Sequence, residues 1–180
     1  SWSPASGLNN TSAAQPIANP STSTTYTVTV TGANGCTASD IVIVNVNTTP
    51  PTANAGPDKN LNCDITSAVI GTAAVAGNTY SWSPSNNLSN AAIAQPTTTT
   101  DVTRTYTVTV TAANGCTSTD AVVVNVNTTP PTVDAGPDRE INCNVSGVSI
   151  GTAAIAGNTY SWLPTTGLVS PSSAMPTVII

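Results

Sequence analysis

Three tryptophans, Trp2, Trp82 and Trp162, stand 80 residues apart, and long phrases recur at the same interval. TYTVTVT occurs at 25–31 and 105–111, NGCT at 34–37 and 114–117, NVNTTPPT at 45–52 and 125–132, and GTAA-x-AGNTYSW at 71–82 and 151–162. A fixed long period with so few changes describes one structural unit laid down in tandem, each copy solving the same packing problem. Function is then expected of the array.

Adjacent prolines mark the boundaries at Pro50-Pro51 and Pro130-Pro131. Two prolines in succession hold the backbone near polyproline II, which makes a short, stiff spacer. The resulting expectation is the C-terminal part of one repeat (1–47), a linker (48–51), a complete repeat (52–127), a second linker (128–131) and the N-terminal part of a third repeat (132–180). A chain that opens and closes within a unit is expected to be a segment of a longer array, or a subunit whose incomplete ends are filled by neighbouring copies.

Local patterns indicate strands. Apolar and hydroxyl residues alternate strictly in 26–31 and 106–111, so one face meets a core and the other meets water. Asn34-Gly35 and Asn114-Gly115 supply the positive backbone angles of tight hairpin turns. The β-branched runs 41–46 and 121–126 return from those turns. Further strands are expected over 68–75 and 147–155, each with a glycine as bulge or close packing point, and over 78–82 and 158–162, ended by Pro84 and Pro164. Short strands with turns at this spacing predict an all-β fold, a tandem series of two-sheet β-sandwiches with a period of 80 residues. The core is assigned to Trp2, Trp82 and Trp162 with Tyr26 and Tyr106.

Composition narrows the function. Only 6 % of the residues are charged, the net charge is −5, and Lys59, Arg104 and Arg139 are the only cations, so the clustered basic groups that phosphates require are missing and nucleic acid is not expected as a partner. No apolar run reaches membrane-spanning length. With no histidine, no nucleophile elbow and no acid/base pair, the chain offers no catalytic residues and is not expected to be an enzyme. No metal site and no cofactor are expected, because there is no close cysteine pair, no EF-hand loop and no acidic run. The matched carboxylates Asp58 and Asp138, and Asp40 and Asp120, are assigned to turn and strand-end solvation.

Units of this size with one tryptophan each have little bulky core and are expected to need staples. Two cysteines per repeat, Cys36 and Cys116 in one series and Cys63 and Cys143 in the other, provide candidates and indicate an oxidising, extracellular setting. Two pairings are open. Cys63 with Cys116 closes a loop inside the complete unit, while Cys36 with Cys63 and Cys116 with Cys143 staple consecutive units. Sequons matched in the exposed linkers make Asn47 and Asn127 glycosylation candidates.

In Ala55-Gly56-Pro57-Asp58 with Cys63, in Tyr80-Ser81-Trp82-Ser83-Pro84 with Leu88, and in Thr105 to Val110 followed by Asn114-Gly115-Cys116, the chain resembles the immunoglobulin-like and PKD-like tandem repeats of large Bacteroidota-type cell-surface proteins, the adhesins and gliding-associated filaments. Ala135-Gly136-Pro137-Asp138, Cys143 and Tyr160 to Pro164 repeat the set. Where PKD domains proper carry an acidic, glycine-rich stretch after the tryptophan, this chain has Ser83-Pro84-Ser85-Asn86-Asn87. The resemblance implies that the sandwiches are immunoglobulin-like, that the chain is secreted to the cell surface, and that it serves as stalk, adhesin or filament. It also implies the pairing of Cys63 with Cys116 within one module, a bond contributing about 4 kcal/mol, with Cys36 and Cys143 bonded to a flanking repeat or a neighbouring copy.

Two functions follow from this. The first is a structural repeat of an extracellular filament or adhesin stalk, its partners being neighbouring copies or flanking repeats of the same protein, joined in part by strand complementation. The second is an adhesin module whose loops at 85–90 and 97–104 recognise a glycan or surface protein.

Overall fold

Every regular element is a strand, and the strands come in a recurring order. A computed structural model describes residues 1–179; Ile180, the last residue of the third region, lies outside the described residues. There is no helix among the described residues, and so none long and apolar enough to cross a membrane. The chain divides into two compact units, Ser1–Asn127 and Thr128–Ile180.

Within the first unit, β1 (Trp2–Ser3), β2 (Thr24–Thr31) and β3 (Thr37–Val44) form an antiparallel sheet in that order. Residues 52–127, the expected complete module, supply β4 (Lys59–Asn62), β5 (Ala68–Val69), β6 (Thr79–Ser83), β7 (Thr97–Thr98), β8 (Arg104–Thr111) and β9 (Thr117–Asn127). Its larger sheet has the order β4-β9-β8-β6, and β5 and β7 make a second, two-stranded sheet. Among the described strands only β4 and β9 pair in parallel, with Lys59 opposite Val124 and Asn62 opposite Asn127.

Alternation in β8 places Tyr106, Val108 and Val110 on one face, where they join Val122 and Val124 of β9, Trp82 of β6, and Ala55, Leu61 and Ile70 from the N-terminal half. This is the core of an all-β sandwich. Gly71 lets it close. Its φ is +83°, and a Cβ there would overlap the Ala94 carbonyl and crowd the Trp82 ring at 2.9 Å.

In the second unit, β10 (Gly147–Ser149), β12 (Thr177–Ile179) and β11 (Leu168–Val169) form one sheet in that spatial order.

Three strand expectations need correction. The expected strands over 68–75 and 147–155 shrink to β5 and β10, because the left-handed glycines Gly71 and Gly151 turn the chain out of the ladder. The segment 158–162 is not a strand, although its copy 79–83 is: β6 owes its ladder to β8, and the third region has no such partner. The Trp162 amide keeps one bond of its copy: it donates to the Pro171 carbonyl at 3.0 Å, as Trp82 donates to the Ala91 carbonyl at 2.8 Å.

Candidate functional site: the ribbon between first and last strands

Since β8 occupies one edge of β9, the amides and carbonyls on its other edge need partners of their own. The segment from the first linker through β4 supplies them. Asn114, in the turn before β9, donates its side-chain amide to the Asn47 carbonyl at 3.2 Å, to Asn47 Oδ1 at 3.3 Å and to the Thr49 carbonyl at 3.0 Å. Asp120 Oδ2 then accepts the Ala55 amide at 2.8 Å, and Asp58 Oδ1 accepts the Val123 amide at 2.8 Å. The β4 ladder continues to Asn62 opposite Asn127, with Asn125 Nδ2 donating to Asn60 Oδ1 at 3.3 Å. The result is a ribbon, a parallel ladder over Val124–Asn127 continued towards the start of β9 by side-chain contacts at Val123, Asp120 and Asn114.

Two carboxylates pin this ribbon reciprocally, each accepting a backbone amide from the other segment. Hydrogen bonds to an ionised acceptor are the stronger kind. The sequence reading left Asp58 and Asp120 to solvation; in the complete module they are cross-strand acceptors. Asn54 makes the approach possible, because its Oδ1 accepts the Gly56 amide at 2.9 Å and turns the chain at a glycine of φ +78°. Leu61, 2 % exposed, seals the ribbon from the core side.

The strand β4 escaped the sequence reading altogether. Lys59-Asn60-Leu61-Asn62 has a single apolar residue, too little for a period to register, and the usable signal was the pair of aspartates flanking the ribbon.

Trp82 is buried, while Trp2 and Trp162 are half-buried. All three indole N–H groups donate at 3.0 Å to a carbonyl eleven residues on, from Ala13, Ile93 and Ser173. Tyr26 and Tyr106 are buried, and their hydroxyls donate to the Ser6 and Asn86 carbonyls at 2.7 and 3.2 Å. Asn47 is exposed and its amide oxygen accepts from Asn114 and Thr49, whereas Asn127 is exposed at the end of β9.

The cysteine pairing within a module is corrected. Cys63 directly follows β4 beside Asn127, and Cys116 directly precedes β9. The strand between those ends has 11 residues, about 36 Å at 3.3 Å per residue, against the roughly 7 Å between Cα atoms that a disulfide permits. No disulfide joins any two of the four cysteines.

The loops set aside for a ligand are tied into the fold. Leu88 bridges to Thr98, Thr98 and Thr100 are buried, and Thr98 Oγ1 donates to the Tyr106 hydroxyl at 3.0 Å. Two hollows lie elsewhere. One of about 450 Å³ in the second unit borders Trp162, Tyr160 and Ile155, and one of about 400 Å³ in the first borders Trp2, Tyr26, Val42 and Val44. In the complete module the residues matching the latter set pack against Ala55, Leu61 and Ile70. Among the described residues no three histidine, cysteine or acidic side chains converge as a metal site would require.

No protein-family model matches the sequence, and no curated protein matches it. Among solved structures it is similar to the solution structure of the PKD domain from the KIAA 1837 protein, with 24 % identity and a TM-score of 0.37 over 53 % of this chain and 99 % of that one. It is also similar to the human desmocollin-1 ectodomain, with 10 % identity and a TM-score of 0.34 over 91 % of this chain and 40 % of that one.

Proposed function

We propose that this chain is a structural segment of an extracellular cell-surface filament or adhesin stalk, built from tandem immunoglobulin-like modules that bear tension along the chain. The observation that supports this is the parallel pairing of the first and last strands of the complete module. With β4 and β9 parallel, the chain enters at the Asn114 end and leaves at the Asn127 end. Tension on the two termini loads the ribbon in shear, so its hydrogen bonds and the two aspartate contacts resist together; an antiparallel terminal pair would peel one bond at a time. The proline linkers pass that load on with little slack.

Strand complementation between copies belongs to the same proposal. Ile41, Val42 and Ile43 are exposed on β3, and the open edge of that strand matches the edge of β9 that β4 covers. The partner is a neighbouring copy of the chain, contributing the segment that matches β4.

Force spectroscopy on the full chain held by its termini tests the load-bearing role. One cooperative unfolding event is expected, lengthening the chain by about 25 nm, as releasing a module of this size does, and Asp58→Ala is expected to lower its force. A complete module that yields by gradual peeling, or at a force unchanged by Asp58→Ala, overturns it.

A further inference from the structure

The two cysteine series sit at opposite ends of a module, and each end is a junction. Cys116 lies two residues from Asn114, whose Oδ1 accepts the Cys116 amide at 3.0 Å while its amide nitrogen holds Asn47 and Thr49 of the preceding linker. The hairpin cysteine is therefore placed where the previous module ends. Cys63 follows Asn62, the ladder partner of Asn127, so the first-strand cysteine is placed where its own module ends.

The 80-residue period joins the two observations. Asn127 is the copy of Asn47 one module on. The residue before the first-strand cysteine, Asn62, thus lies one strand spacing, about 4.8 Å, from Asn127, and the hairpin cysteine lies two residues from the asparagine that grips the copy of Asn127. Repeated from module to module, this arrangement sets the two cysteines beside the same few residues of the linker.

We propose that the two cysteines of a module serve its two opposite junctions. The first-strand cysteine, Cys63 or Cys143, bonds the hairpin cysteine of the module that follows; the hairpin cysteine, Cys116 or Cys36, bonds the first-strand cysteine of the module before. No two cysteines of the 180 residues stand in that relation, because Cys63 calls for a hairpin of the third module and Cys116 for a first strand of the first. The bond is a second covalent path beside each proline linker, so tension crosses a junction through two strands of chain. This rests on the tandem-array reading above.

The chemistry is thiol–disulfide exchange with a small-molecule or protein disulfide as oxidant. One cysteine thiolate attacks the oxidant and releases one thiol; the second attacks the mixed disulfide at the cysteine sulfur and releases the other. Two thiols of the protein lose two electrons to the oxidant, and their protons end on the two thiols released.

Appending a second copy of residues 101–127 after Ile180 gives the third region a hairpin and the chain a fifth cysteine. In a glutathione disulfide buffer, two of the five thiols are expected to become resistant to alkylation, and non-reducing peptide mapping is expected to join Cys63 to the appended cysteine. A bond between Cys63 and Cys116, or five alkylated thiols in a chain whose third module has folded, overturns the proposal and leaves the array reading standing. A third module that stays unfolded by amide exchange counts against the array reading instead. The junction is then tested in the 180-residue chain with Thr48→Cys, which is expected to bond Cys116 at least about tenfold faster than any other cysteine, a proximity effect on effective concentration. Equal rates overturn the proposal.

Discussion

The hairpins β2–β3 and β8–β9 share almost one sequence and have different interiors. Val28, Val30, Val42 and Val44 have copies at Val108, Val110, Val122 and Val124. In the complete module all four copies are 2 % exposed or less, whereas in the first region Val30 is 61 % exposed, Val42 46 %, and the other two are half-buried. The alternation that makes an amphipathic hairpin is present in both. What differs is the cover: Ala55, Leu61 and Ile70 lie over one hairpin, whereas among the described residues nothing buries Val30 and Val42 of the other. A pattern decides which face seeks a core, and the far half of the sandwich supplies it.

The same comparison explains strand length. β9 runs through Asn127 while β3 stops at Val44, although Asn45-Val46-Asn47 repeats Asn125-Val126-Asn127. The added residues of β9 face β4. A ladder extends only as far as it has a partner.

Substitutions at matched positions can break this comparison. The largest effect is expected for Trp82→Ala, about 3–5 kcal/mol lost by denaturant unfolding of the full chain, with less than half of that for Trp2→Ala; equal losses would mean that the first region has a core of its own. Next, Val124→Ala is expected to cost about 2 kcal/mol and Val44→Ala under about 1 kcal/mol, in proportion to the apolar surface each withdraws from water. A smaller effect, about 1–2 kcal/mol, is expected for Asp120→Ala through loss of the Ala55 contact. Asp40→Ala, whose carboxylate accepts only the neighbouring Ile41 amide at 2.8 Å, should stay within about 0.5 kcal/mol. Amide exchange sharpens this third test, since Ala55 should lose protection in Asp120→Ala and Val123 in Asp58→Ala. Smallest of all, Asn114→Ala is expected to change stability by under about 1 kcal/mol while shifting the amide resonances of residues 47–49; Asn34→Ala should leave them in place.

Much of the fold was legible before any coordinate. The hairpins at Asn34-Gly35 and Asn114-Gly115 and the alternation through Val110 report local chemistry, which a linear reading captures. The ribbon was not legible in the same way. A four-residue strand with one apolar side chain has no detectable period, and Asp58 and Asp120 look like ordinary surface acids until the chain brings each to an amide 65 residues away. The expected bond between Cys63 and Cys116 failed for a related reason: shared membership of a module says nothing about which end each cysteine occupies, and the parallel register sends them to opposite ends.

By itself the sequence determined the all-β character of the chain and the faces that turn inward, because backbone preference and alternation act between near neighbours. Only the tertiary structure decided which copies of those faces are covered, how long each strand runs and where the sulfurs stand. Burial and ladder hydrogen bonds need a second segment, and identical residues with different partners settle into different environments.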